Sequence, residues 1–227
     1  MSVSKSKRTY KPAAQRKAQI LHCALSAFAE HGYHATSIAE VCGRARIGRA
    51  TLYQYFADKR DLLVALADQI AERVLKAHDE LTPVRIPQGA RPTPDQMAAF
   101  MQKRMTAILQ VLFEDRATAQ LVLRAGRGAD GVVDGLLKRI DDAVLETLEA
   151  QLRVAKEAGV IRPLDEHFVA RFFLGGFEKI VLSYLDDDRP IDVETIAREA
   201  ALLELCGILP RHEASPAPRA GSHRSDS

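Results

Sequence analysis

Residues 36–59 read TSIAEVCGRARIGRATLYQYFADK, and the reading of this stretch decides the fold. Ser37 with Glu40 three residues on has the form of a capping box, so a short helix is expected to begin at Thr36 or Ser37. A second is expected to open near Gly48 and to end around Phe56. Between them Ala45, Arg46 and Ile47 form a turn of three or four residues. Ile38, Val41, Cys42, Ala45, Ile47 and Leu52 are the small or apolar positions that let two such helices cross closely. The spacing is that of a helix-turn-helix, which lays its second helix in a DNA major groove; an ordinary αα-corner of a helical bundle shares it.

On either side of the stretch nearly every segment reads as helix. Upstream, Ala18, Leu21, Leu25 and Phe28 line one helical face behind Pro12, a residue suited to a first turn. Gly32 is expected to supply a left-handed cap. Downstream, Asp58 is expected to cap a helix along which Leu63, Leu66, Ile70, Val74, Ala77 and Leu81 recur every three or four residues. The segment 82–94 holds four of the ten prolines and reads as a loop. Met97, Met101, Met105, Ile108 and Leu112 then form a stripe. Further helices are expected over 116–125, 131–158, 165–186 and 192–209, the third of these four being apolar almost all round. No segment alternates strictly, so the chain is expected to be all-α, with about nine helices. The domain division expected is a basic, disordered arm over 1–11, a DNA-binding domain over 12–60, a helical body over 61–209 and a disordered tail over 210–227.

Composition narrows the function classes. The three cysteines, Cys23, Cys42 and Cys206, are too few and too scattered for a disulfide scaffold or a zinc finger, and fit a reducing cytoplasm. No membrane span and no signal peptide are expected. The net charge of +2 hides an asymmetry: residues 1–60 carry eleven Lys and Arg against three acids, a net +8, and the remainder carries −6. A basic head on an acidic body suits contact with a polyanion, the alternative being a solvated tail. Gly126, Gly128 and Gly131 match the dinucleotide-loop spacing but follow no strand, and the segment from Gly43 lacks the lysine and hydroxyl of a P-loop. His31 and His34 straddle a turn with no third ligand near, so no metal site is expected. With no catalytic constellation in sight, the chain is expected not to be an enzyme, and a nucleotide-dependent enzyme is the remote alternative.

The stretch closely resembles the N-terminal domain of the TetR/AcrR family of transcriptional regulators. Phe28, Gly32, Thr36, Ser37, Ile38, Val41, Ala45, Ile47, Thr51, Leu52, Tyr53, Tyr55, Phe56, Lys59, Leu62 and Leu63 carry the resemblance, which covers about residues 12–65. The family usually has Gly where this chain has Arg46, often Ser at Gly48, and Gly or Pro at Ala50. The resemblance implies that Thr36, Ser37, Tyr53, Tyr55 and Lys59 meet the DNA backbone, Lys59 as a point charge on phosphate. Arg46, Gly48, Arg49, Ala50 and Gln54 would occupy the face that enters the groove, where Arg reads guanine and Gln reads adenine. A basic arm from Lys5, Lys7, Arg8 and Lys11 would reach a minor groove or remain solvated.

The same resemblance implies a homodimer built on the last two helices, with Phe168, Phe172, Gly175, Gly176, Ile180 and Tyr184 at the interface. It also implies a pocket in the body for an unidentified small-molecule effector, with no other cofactor. Met97, Phe100, Met101, Met105, Phe113, Phe173 and Phe177 are the candidate lining, methionine being adaptable, although such a stripe also suits a plain core. Arg104, Arg124, Glu178 and Lys179 would meet a polar ligand group or pair with one another. The expected activity is repression at a double-stranded palindromic operator on the nucleoid, relieved by the ligand. A ligand-independent regulator or an activator is the alternative.

Overall fold

The structure is a computed structural model that describes residues 12–81, 93–125, 131–187 and 191–208. The expected arm over 1–11, the tail over 210–227, most of the 82–94 loop, Gly126 and Gly128 lie outside the described residues. The described residues form nine α-helices and no strand. None of these helices is long and apolar enough to cross a membrane.

The first helices assemble a small head. α1 (Ala13–His31) follows Pro12 and stops at Gly32, whose φ of 82° pairs with an extended ψ of 152°. That region is open almost only to glycine, and it replaces the left-handed cap expected there. α2 (Ile38–Ala45) is capped by Ser37, whose Oγ accepts the Glu40 N–H at 3.2 Å. The Glu40 carboxylate turns instead to Arg44 and His31, each 3.1 Å away, so only half of the expected box forms. α3 (Arg49–Leu52) is far shorter than the expected 48–56. After it the N–H groups of Gln54 and Tyr55 donate three residues back, to Thr51 and Leu52, and this tighter winding turns the chain. Ile20, Leu21, Phe28, Val41, Leu52 and Phe56 meet in the head core.

α4 (Lys59–Glu80) starts where Asp58 accepts the Asp61 N–H at 2.8 Å. Leu62 and Leu66 belong to the head core, whereas Leu63, Ala67, Ile70 and Val74 belong to the core of the body. α4 is thus apolar on two faces and is shared by both cores.

The body is completed by α5 (Pro94–Glu114), α6 (Arg116–Ala125), α7 (Gly131–Glu157), α8 (Glu166–Leu185) and α9 (Val193–Ile208). Thr93 and Gln96 make a full capping box at the start of α5. α5 lies between α4 and α9, and α7 between α4 and α8. The end of α8 is held from another helix: the Arg116 guanidinium donates to the carbonyls of Tyr184, Leu185 and Asp187. The Leu185 carbonyl is one that the end of a helix leaves without a partner of its own.

Candidate nucleic-acid interface and the cavities of the body

The turn between α2 and α3 is wound by two reverse hydrogen bonds, Arg46 N–H to Gly43 O at 3.1 Å and Ile47 N–H to Cys42 O at 3.0 Å. This is a Schellman ending, which requires a left-handed residue. Arg46 takes that conformation with φ 52° and ψ 46°, and it is the only non-glycine residue with positive φ among those described. An L-residue there costs roughly 1–2 kcal/mol. The neighbouring carbonyl of Ala45 accepts from Gln19 Nε2 at 3.0 Å, which fastens the turn to α1.

This local winding sorts the three arginines of the segment. Arg44 faces inward along α2, donating to Glu30 at 2.7 Å, to Glu40 at 3.1 Å and to Ser26 at 3.2 Å. Its hydrogen bond to Glu30 holds that carboxyl below the usual glutamate range. Among the described residues Arg46 and Arg49 meet no side-chain hydrogen-bond or ion-pair partner, and both are exposed, alongside exposed Gly48, Ala50, Tyr53 and Gln54. The turn and α3 thus expose two guanidinium groups, a carboxamide and a phenol within nine residues of chain. Tyr55 is half-buried against the head core, and Ser37 is exposed at the start of α2.

Two expected backbone contacts need correction. Thr36 is 2% exposed, and its hydroxyl lies within hydrogen-bond distance of the carbonyls of Ala27 at 3.1 Å and Gly32 at 2.8 Å. It faces the head interior rather than a phosphate. Lys59 Nζ donates to the carbonyls of Tyr33, His34 and Thr36 at 2.8, 2.9 and 3.0 Å, and stands 4.7 Å from the centre of the Tyr33 ring. An ammonium has three donors, and all three are engaged. Lys59 is therefore a brace that ties the α1–α2 connection to the start of α4.

The expected pocket residues do not form one pocket. Met97, Phe100 and Met101 line a cleft between α5, α7 and α9. Phe177 lines a different cavity, walled by Ala71 and Val74 of α4, Leu112 of α5, Val122 of α6 and Val144 of α7. Phe173 joins Phe168 and Phe172 beside the end of α9. Met105 is packed in the body core, and Phe113 leans half-buried against it. The helical period shows which side of α5 faces inward, but not which neighbour it meets. Of the four charged candidates, Arg104 donates to Gln151, Arg124 pairs with Asp186, Glu178 lines the cavity on α4 and Lys179 is exposed. Gln151 and Glu204 line the cleft from α7 and α9, and Arg104 of α5 reaches Gln151 from behind its wall, although the three helices are far apart in sequence. No motif spacing would have found that grouping.

The expected interface residues form a stripe along the outside of α8. Phe168 and Phe172 are 65% and 66% exposed, and Ile180 is 37% exposed. Gly175 and Gly176 lie between them, and a Cβ added at either would meet nothing within 4 Å. Tyr184 is half-buried at the end of the stripe, and α9 adds exposed Leu202 and Leu203.

Residues 20–66 match the model of the family described as bacterial regulatory proteins, tetR family. The chain is 26% identical over 194 residues to an uncharacterized HTH-type transcriptional regulator of Bacillus subtilis, YhgD, covering 84% of this chain and 93% of that one. Its fold is similar to that of the fatty acid degradation regulator FadR of Bacillus halodurans. The TM-score is 0.66 at 20% identity, over 88% of this chain and 98% of the other. It is similar also to the transcriptional regulator FadR of Bacillus subtilis solved with stearoyl-CoA. There the TM-score is 0.62 at 19% identity, over 84% and 98% of the two chains.

Proposed function

The chain belongs to the TetR family of transcriptional regulators, and on that premise we propose that it is a homodimeric repressor released from a palindromic operator by a small molecule. Arg46, Arg49 and Gln54 would read bases, and Ser37, Tyr53 and Tyr55 would hold the backbone. A second copy, joined along the α8 stripe and α9, would set two heads about one helical turn apart, ~34–36 Å.

The observation that carries the ligand response is the sharing of α4. The same helix sends Leu62 and Leu66 into the head core and walls the cavity that Phe177 also lines with Ala67, Ile70, Ala71 and Val74. A molecule filling that cavity must press on α4, and α4 carries the head. Its effect equals its differential affinity for the two placements of the heads. The cavity wall is apolar apart from Asp141 and Glu178, so the fitting effector has a substantial apolar part. The stearoyl-CoA held by the Bacillus subtilis FadR is a molecule of that kind.

Filling the cavity from within tests this without knowing the effector. Ala71 is 5% exposed and lines the cavity, so Ala71→Leu adds bulk there. Fluorescence anisotropy on a DNA fragment from upstream of the protein's own gene should show at least tenfold weaker binding by a variant that is still dimeric. Unchanged affinity in a folded variant would contradict the coupling through α4.

A further inference from the structure

α3 is a single helical turn, Arg49–Leu52, and its N-cap Gly48 makes no side-chain hydrogen bond. Its direction is therefore inherited from the turn before it and from the burial of Leu52. That turn contains the left-handed Arg46. Beside it Ala45 is 1% exposed, and among the described residues no backbone N–H donates to its carbonyl. A buried carbonyl at the end of a helix needs a donor from elsewhere. Gln19 of α1 supplies it, with Nε2 standing 3.0 Å from Ala45 O. Three residues earlier on the same helix, Arg16 donates from Nη1 to Gln19 Oε1 at 3.0 Å.

The chemistry of the two partners fixes the carboxamide between them. A guanidinium only donates and a carbonyl only accepts, so Oε1 must face Arg16 and Nε2 must face Ala45. The charge of Arg16 on Oε1 also polarises the N–H that is left for the turn. Without that N–H the Ala45 carbonyl could find a partner only in water, and the turn would have to open to admit it. Arg46 favours such opening, because its left-handed backbone is relieved by it. We infer that Gln19, oriented by Arg16, is a positioning residue for DNA recognition: it holds the turn around Arg46 and so sets the aim of α3, without itself touching a base. The inference rests on α3 being the element that reads bases. It places a determinant of sequence specificity on α1, outside the two helices of the helix-turn-helix.

Two variants of the full chain isolate the donor. Gln19→Leu removes both polar ends, whereas Gln19→Glu keeps an oxygen for Arg16 and sets a second oxygen against the Ala45 carbonyl. Amide hydrogen exchange followed by NMR reads the turn through the N–H groups of Arg46 and Ile47, which donate the two bonds that wind it. In both variants their protection should fall about fivefold or more, as for a buried acceptor left without its donor. Leu63 and Ala67 of α4 should keep theirs. Arg16→Met should give a smaller fall at the same two amides. Anisotropy on a site selected by the unaltered chain should show, in both Gln19 variants, a preference over unrelated DNA reduced by about fivefold or more, with affinity for the unrelated DNA unchanged. Unchanged exchange at Arg46 and Ile47 in any of the three variants would overturn the inference. So would an equal loss of protection throughout the chain, or a loosened turn with the site preference intact. An unaltered chain that prefers no site would contradict the base-reading role of α3, and the exchange result would still decide whether Gln19 holds the turn. Where Gln19→Leu fails to fold, Gln19→Glu decides.

Discussion

At the scale of single residues, the head depends on two side chains placed where sequence habits would not put them. Arg46 occupies a left-handed position at an unfavourable backbone conformation and keeps its guanidinium exposed. Arg46→Gly should therefore raise the stability of the chain by about 0.5–1 kcal/mol, the relief of the left-handed position less the added freedom of the unfolded chain. The same change should weaken DNA binding, a divergence that urea unfolding and anisotropy together would reveal. A variant that loses both stability and affinity would show that the side chain supports the turn. Lys59 acts in the opposite sense. With its three donors on the carbonyls of residues 33, 34 and 36, Lys59→Met should cost about 1–3 kcal/mol of stability, as charge-assisted hydrogen bonds do. It should leave the slope of log affinity against log salt as it was. A slope lower by about 1 with unchanged stability would instead make Lys59 a phosphate ligand. Neither Thr36 nor Lys59 could be placed from the sequence, because a carbonyl partner has no residue type and so leaves no motif.

At the scale of the element, α3 is short, and its function rests on which side it shows. Leu52 is fully buried, which fixes the register and turns Ala50 outward, while Arg49 is exposed at the opening of the helix. Arg49→Ala should lower affinity for a selected site by about 1–3 kcal/mol and relax the requirement at one base position in each half-site. Selection of sites from random DNA by the variant measures this; recovery of the unaltered site would mean that Arg49 touches only phosphate. The longer elements were legible because their ends carry strong signals. Asp58 is legible as a cap and caps α4, and the apolar spacing beyond it continues unbroken; the caps Thr93 and Asp165 emerge only in the structure. The end of α3 was not legible: the sequence stays compatible with helix to Phe56, and only the tertiary demand that Phe56 enter the head core turns it earlier.

At the scale of the whole molecule, the apolar stripe on α8 gives the second copy its place. Phe168, Phe172 and Ile180 expose large apolar side chains in line, which one subunit leaves uncovered. Gly176→Glu is well suited to test this, since the added side chain meets nothing in its own subunit. The variant should fold, sediment as a monomer at micromolar concentration and lose operator binding, because a charge buried in such an interface costs several kcal/mol. A dimer of undiminished stability would move the interface elsewhere. The stripe was readable from sequence as a helix apolar all round, since the period alone demands more cover than one body provides. The division of the pocket residues between two cavities was not readable, because it depends on how α4, α7 and α9 surround α5. The most direct test of the central claim is selection of the full chain on random double-stranded DNA, followed by sequencing of the bound pool. The account predicts an inverted repeat with half-site centres about 34–36 Å apart, bound by two protomers. A pool without enrichment, or one enriched in a single unrepeated half-site, would contradict it.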